Sequence, residues 1–211
     1  MSYTLVLARW IRLIATDLGL LAIFLPLIRL WLNRSVPFSK VTEKRISLSR
    51  WSGVFVVTII YLAIGILLWK PIPLEILPFL QLFTVVTGSF LYFPGIILYL
   101  WGYQALGSMY GVSSATGAHL YEKHQLIERG PYSFVRHPMY LGVILVAIGA
   151  LLLFRTWSMI LFSPSAFIVI LRARHEEHLL ATEFTDAWID YCQHVPAWLP
   201  KFASKQENTG E

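Results

Sequence analysis

The sequence holds a single cysteine, Cys192, among its 211 residues. One cysteine cannot form an internal disulfide, and it excludes zinc or iron–sulfur sites that need several cysteines. Charged residues are also scarce, at 14% of the chain, while hydrophobic residues make up 56%. Soluble domains carry about 25% charged residues. This imbalance therefore predicts an integral membrane protein.

A glycine-rich phosphate loop is missing as well. The longest polar stretch, residues 104–136, contains no Gly-x-Gly-x-x-Gly motif and no strand pattern before any of its glycines. A soluble-type dinucleotide or methyl-donor fold is therefore not supported, and we expect any cofactor to be held by this loop and by helix ends. Lys and Arg outnumber Asp and Glu by 17 to 12, but they are spread along the chain rather than interleaved with aromatic residues on one face. We therefore expect no nucleic-acid partner.

Five apolar runs make up most of the remaining sequence. Each is near the ~20 residues that an α-helix needs to cross the hydrocarbon core, and the last two are shorter. They cover residues 11–32, 52–69, 78–102, 138–154 and 156–171. We therefore predict an all-α integral membrane protein with about five transmembrane helices. Residues 1–77 are predicted to be an N-terminal two-helix membrane scaffold, residues 78–200 the functional core, and residues 201–211 a disordered tail.

Lys and Arg are unevenly distributed between the two ends of these runs. Twelve of them lie between runs one and two, between runs three and four, and after run five. Four others, Arg9, Arg12, Lys70 and Arg155, fall at the opposite ends. Because cytoplasmic loops carry the excess of positive charge, the N-terminus is predicted to lie outside and the polar stretch before run four in the cytosol.

A polar cluster, residues 130–142, stands directly before the fourth run. Its Gly-Pro-Tyr opening marks a turn, and Pro138 is placed where a helix begins. Arg136 and His137 are left at the membrane boundary. Arg136 taken alone fits an interfacial cation equally well.

Runs four and five are predicted to form a hairpin that turns at Arg155. The start of run four and the end of run five then lie on the same face, which brings Arg136 and His137 near Glu176 and Glu177. Successive helix residues point ~100° apart, so the two glutamates are expected to have different roles. The simpler alternative is that they are a solvated helix start. Residues 176–191 have the pattern of an amphipathic helix at the membrane interface.

These motifs resemble the isoprenylcysteine carboxyl methyltransferase and phospholipid methyltransferase superfamily. The resemblance rests on Gly130-Pro131-Tyr132, on Arg136-His137-Pro138-Met139-Tyr140-Leu141-Gly142, and on the pair Glu176-Glu177 after one helical hairpin. It extends over residues from about 95 to 200. It implies a cytosolic-side pocket formed by the loop before the fourth helix and by the helix after the fifth, and it makes residues 78–200 a methyltransferase core.

The resemblance also implies a cofactor, S-adenosylmethionine, and a set of site residues. The implied cofactor-binding residues are His124, Gln125, Leu126, Ile127, Tyr132, His137, Pro138, Met139, Tyr140 and Glu176. The implied catalytic residues are Arg136, Arg172 and Glu177. No metal is implied. Two residues depart from the family pattern, since Thr185 stands where the family usually has Gly and Trp188 where it usually has Tyr.

The acceptor of the methyl group is left open by the sequence. We expect a lipid-like or small apolar molecule with a carboxylate, amine or thiol acceptor, because the site lies at the bilayer edge and no separate substrate domain is present. An amine or thiol needs a base, for which Glu177 and His137 are both candidates. Three other readings stay open, namely a membrane metal oxygenase using some of the six histidines, an NADPH-dependent membrane reductase of related architecture, and a non-enzymatic membrane scaffold.

Overall fold

The computed structural model of the protein describes residues 3–32, 48–74, 76–110 and 125–200. Six α-helices account for most of this part of the chain: α1 Tyr3–Leu32, α2 Leu48–Leu67, α3 Pro78–Leu106, α4 Pro138–Phe154, α5 Trp157–Phe162 and α6 Ile168–His194. Short 3-10 turns lie at Gly107–Met109, Gly130–Ser133 and Ser163–Phe167. Within the same residues the only extended pairing is an isolated bridge between Pro71 and Thr156. The prediction of an all-α protein is confirmed for the described chain.

Proline and local caps fix the helix boundaries that matter for the site. Pro138 opens α4 as predicted, and Pro78 opens α3 in the same way, since a proline at the first helical position loses no hydrogen bond. Helix α4 ends at Phe154 and is capped by Arg155, which has a left-handed backbone with φ 48°. Thr156 then caps α5 by accepting a hydrogen bond from the Met159 backbone N–H. The predicted hairpin turn at Arg155 is therefore confirmed.

Two helical stretches of the described chain are long and apolar enough to cross a membrane, Pro78–Leu106 and Trp157–His194. Helix α4 is apolar but shorter. This agrees with a membrane protein, while the count of five spans and the division at residue 77 stay predictions. The tail, residues 201–211, lies outside the described residues.

Helices α3 and α4 pack closely because glycines face each other along their contact. A Cβ atom at Gly142 would lie 2.7 Å from the Gly95 carbonyl oxygen, and one at Gly149 would lie 2.8 Å from the Gly88 carbonyl oxygen. Small residues let helix backbones approach in this way. In lipid, such close packing holds helices together because no hydrophobic force drives their association. Glycine recurs every seven residues on both helices, at Gly88, Gly95 and Gly102 of α3 and at Gly142 and Gly149 of α4.

Helix α1 packs on this pair through small residues and two long-range hydrogen bonds. Ala8, Ala15 and Ala22 are buried against α3 and α4. The Tyr92 hydroxyl donates to the Ala15 carbonyl oxygen at 2.7 Å, and Arg12 Nε donates to the Leu153 carbonyl oxygen at 2.8 Å. These contacts fix α1 beside the two helices that carry the site.

Helix α6 combines the end of the fifth apolar run with the amphipathic helix predicted at residues 176–191. No proline or glycine lies between Ile168 and His194, so the helix has no sequence signal to stop after the apolar residues. It is interrupted once, at Thr185, whose φ is 41° and ψ is −107°. The interruption redirects the last turns of α6, which carry Trp188 and Tyr191.

Candidate active site

The loop before α4 is held by a turn and by a hydrogen bond from α6. Residues Gly130–Ser133 form a 3-10 turn that Gly130 enters with φ 65°, a backbone conformation that favours glycine. Tyr132 in this turn is buried, and its carbonyl oxygen accepts a 2.7 Å hydrogen bond from the Tyr191 hydroxyl. The redirected end of α6 thus positions the residues that follow the turn.

Arg136 and His137 both bind the carboxylate of Glu177. Arg136 reaches Glu177 Oε1 through Nη2 at 2.9 Å and Nε at 3.1 Å. His137 Nε2 lies 2.9 Å from the same oxygen. An ionised carboxylate can only accept hydrogen bonds, so His137 carries its hydrogen on Nε2. The hairpin does bring these residues together.

A C-terminal segment, residues 195–200, closes over the same pair. The backbone N–H groups of Arg136 and His137 donate to the carbonyl oxygens of Pro196 and Ala197 at 2.9 and 3.1 Å. The Arg136 side chain also donates to the Val195 carbonyl oxygen at 3.3 Å. Its guanidinium carbon lies 5.6 Å from the Trp188 ring centroid, within cation–π distance. Arg136 therefore ties together the loop, α6 and the C-terminal segment.

A cavity of about 190 Å³ lies beside this network, between α3, α4 and α6. Its polar end is formed by one tyrosine and two charged residues. The Tyr140 hydroxyl donates to Glu176 Oε2 at 2.7 Å and is also hydrogen-bonded by the Arg172 side chain. Arg172 and Glu176 are four residues apart on α6, so they project from the same face of that helix. The arrangement presents an anion and a cation to the cavity, with a shared hydroxyl between them.

The two glutamates are in different environments. Glu176 lines the cavity, whereas Glu177 is not among the residues that line it. The hydrogen bond from His137 is the main cause that holds the pKa of Glu177 below its ordinary value, with Arg136 adding to the effect and partial burial opposing it. Burial raises the pKa of the Tyr132 hydroxyl, and the nearby Glu176 charge raises it further.

Seven of the residues expected from the sequence line the cavity: Tyr132, Arg136, His137, Met139, Tyr140, Arg172 and Glu176. Pro138 is fully buried where α4 begins. Leu126 packs against Trp188 and Tyr191 instead of lining the cavity. Gln125 is exposed and Ile127 half-buried, neither lining the cavity, and His124 lies outside the described residues.

The cavity is also lined by five residues that were not predicted from the sequence: Tyr99, Leu106, Tyr110, Val143 and Val169. Tyr99 and Val143 lie inside apolar runs and look like ordinary membrane-facing residues. The sequence signal that could have identified Tyr99 is a hydroxyl that recurs near the end of an apolar helix, as at Tyr99 and Tyr103. Tyr110 packs edge-on against Tyr103, with ring centroids 4.7 Å apart.

Histidines do not gather into a metal site in the described part of the chain. No group of three or more His, Cys, Asp or Glu side chains there has the spacing to hold a metal ion. His175 and His178 are exposed on α6, while His137 is bound to Glu177. His119 and His124 lie outside the described residues.

Comparisons with known proteins match the central part of the chain to one family. Residues 88–182 match the family described as the isoprenylcysteine carboxyl methyltransferase (ICMT) family. The matched residues include α4, the hairpin and both glutamates of α6. The resemblance predicted from the sequence motifs is therefore confirmed over this range.

Two curated relatives match over similar lengths. The nickel-cobalt-cadmium resistance protein NccN of Alcaligenes xylosoxydans xylosoxydans is 32% identical over 105 residues, which is 45% of this chain and 49% of that protein. Protein-S-isoprenylcysteine O-methyltransferase B of Arabidopsis thaliana is 32% identical over 85 residues, which is 37% of this chain and 41% of that protein. The chain thus spans about half or less of the length of these relatives.

Proposed function

We propose, from the match of residues 88–182 to the isoprenylcysteine carboxyl methyltransferase family, that this protein is an integral membrane methyltransferase dependent on S-adenosylmethionine. The observation that carries the proposal is the cavity in which Glu176, Tyr140 and Arg172 meet. It lies beside the motif residues Arg136 and His137, which the family resemblance assigns to the site.

The residues around the cavity fit the chemistry of this methyl donor. The donor carries a ribose diol, which suits a carboxylate acceptor such as Glu176, and a carboxylate, which suits His or Arg donors such as His137 or Arg136. Its adenine needs an apolar or aromatic wall, and Tyr132, Tyr99 and Tyr110 line the cavity. When bound, the donor supplies an electrophilic methyl group on a sulfonium.

The protein's own contribution is alignment and exclusion of water. Methyl transfer is an in-line displacement, so the acceptor atom must be held in line with the methyl group. Arg172 is placed to orient an anionic acceptor, because a guanidinium binds carboxylate or phosphate bidentately. Arg136 and His137 line the cavity and hold the C-terminal segment against the loop through backbone hydrogen bonds, while Glu177 binds both of their side chains.

The acceptor is proposed to be a lipid-like or small apolar molecule. Val143 and Val169 form part of the cavity wall, and both belong to apolar helices that the composition assigns to the membrane. The name of the Arabidopsis relative points to a prenylated cysteine, whose free carboxylate would be an anionic acceptor. A carboxylate needs no base, which agrees with a Glu177 carboxylate that is already bound by two donors. The positive-inside pattern supports a site that faces the cytosol.

Titration of the detergent-purified protein with S-adenosylhomocysteine tests the cofactor. Wild type should bind saturably, and Glu176→Gln should weaken binding by about tenfold or more, since a neutral amide loses a charge-assisted bond worth about 1.5–3 kcal/mol. Glu183→Gln is the matched control, because Glu183 is exposed on the same helix and should leave binding unchanged. Absence of saturable binding by folded protein would overturn the cofactor assignment.

A labelled methyl donor then identifies the acceptor class. Prenylated thiol carboxylates, aminophospholipids and small thiols are incubated with the protein in vesicles, and the methylated product is identified by mass spectrometry. Transfer to at least one of these acceptors is expected. Methylation restricted to side chains of soluble proteins would contradict the proposal of an apolar acceptor.

A further inference from the structure

Two arginines lie at the end of α4 that is farthest from the cavity, Arg155 directly after α4 and Arg12 on α1. Helix α4 has 17 residues and is therefore about 25 Å long, with the cavity at its first turn. At its other end Arg155 adopts the left-handed conformation, and its carbonyl oxygen accepts a hydrogen bond from the Ile72 N–H at 2.9 Å. Arg12 is fixed beside it by its 2.8 Å hydrogen bond to the Leu153 carbonyl oxygen. The backbone of Arg155 and the side chain of Arg12 are thus held in place before any ligand arrives.

Each of these guanidinium groups has a buried nitrogen whose N–H donates no hydrogen bond to any described residue. The atoms are Nη2 of Arg12 and Nε of Arg155. The two side chains are also close enough to repel each other electrostatically. Buried donors of one charge, side by side and without an acceptor, are unfavourable unless an anion binds to them.

The surroundings of this arginine pair are those of a membrane–water interface. Trp10, Trp69 and Trp157 are 60%, 46% and 47% exposed. Tryptophan belts of this kind mark the level of lipid head groups. Lys70, whose carbonyl oxygen accepts from the Trp157 N–H at 3.1 Å, is exposed and adds positive charge. The anions available at that level are the phosphates of lipids.

We propose that Arg12 and Arg155 form a binding site for the phosphate group of an anionic phospholipid, in the leaflet opposite the cavity. Guanidinium groups bind phosphate through paired N–H donors, and two of them neutralise its charge without a carboxylate. An anionic lipid is preferred over a zwitterionic one because a choline group would be repelled by the same arginines. A bound lipid would link α1 to the hairpin turn on the side of the membrane away from the site.

Native mass spectrometry of the full chain tests the site. The protein in neutral detergent is titrated with phosphatidylglycerol, with phosphatidylcholine and with inorganic phosphate. Wild type should retain phosphatidylglycerol with at least about tenfold preference over phosphatidylcholine, as expected for one additional charge-assisted contact. Arg12→Gln and Arg155→Gln should each remove most of that preference, and Arg12→Lys, which keeps the charge but loses the fork, should remove part of it.

Arg9→Gln is the matched control, since it removes an exposed positive charge at the same end of α1 and should change retention by less than about twofold. Helix content by circular dichroism verifies that each variant folds, and Arg12→Gln carries the test if Arg155→Gln does not fold. Equal retention of both lipids by wild type would overturn the proposal, as would an equal loss in Arg9→Gln. If inorganic phosphate competes as well as the lipid, the lipid assignment is wrong. Glu75, which follows Lys70 by five residues in the sequence, lies outside the described residues. If Glu75→Gln lowers the melting temperature as far as Arg12→Gln does and wild type shows no lipid preference, that carboxylate is the anion.

Discussion

Replacing Thr185 with glycine should stabilise the protein. Thr185 has φ 41° and ψ −107° in the middle of α6, a backbone region that β-branched residues rarely adopt. The strain of such a residue lowers the free energy of unfolding by about 1–3 kcal/mol, and glycine removes most of this strain. Glycine is also more flexible in the unfolded chain, which costs about 0.5–1 kcal/mol. The free energy of unfolding should therefore rise by about 1 kcal/mol, which for a chain of this size raises the Tm by about 2–4 °C.

Thermal unfolding of the purified protein in detergent measures this effect against two controls. Thr182→Gly changes an exposed threonine in a regular part of the same helix, so it should lower the Tm by about 1–2 °C. Thr185→Ala keeps a Cβ atom and hence most of the strain, so its gain should be about 1 °C or less. If Thr185→Gly lowers the Tm as Thr182→Gly does, the strain argument is refuted.

Two further predictions concern the charged residues of α6. Arg172→Lys keeps the charge but loses the paired donors, so for an anionic acceptor kcat/KM should fall about tenfold while S-adenosylhomocysteine affinity stays near wild type. Normal turnover by Arg172→Lys and Arg172→Ala would make Arg172 an interfacial anchor instead. The pKa of Glu177 is held below its ordinary value of 4.5, so its stabilising contribution is present above that pH and is lost as the pH falls through the lower, folded-state pKa. Between about pH 6 and about pH 3 the Tm of wild type should therefore fall more steeply than that of Glu177→Gln, and parallel curves would contradict this.

The pairing of Arg136 and His137 with Glu177 could be predicted from the sequence. A turn at Arg155 reverses the chain, so the start of α4 and the charged part of α6 must lie at the same end. The different contacts of Glu176 and Glu177 also follow from sequence, because adjacent residues on a helix point in different directions. The same holds for the start of α4 at Pro138. These features depend on local geometry and on one chain reversal.

The walls of the cavity were decided only by the tertiary structure. Tyr99 belongs to α3, and it reaches the cavity because glycines on α3 and α4 allow the two backbones to approach closely. The hydrogen bonds from the Arg136 and His137 backbones to Pro196 and Ala197 depend on the direction of the last turns of α6, which the interruption at Thr185 sets. A β-branched threonine predicts neither a positive φ nor a helix break, and contacts between distant helices have no fixed sequence spacing. Local physical rules therefore placed the charged residues near one another, and long-range packing formed the cavity around them.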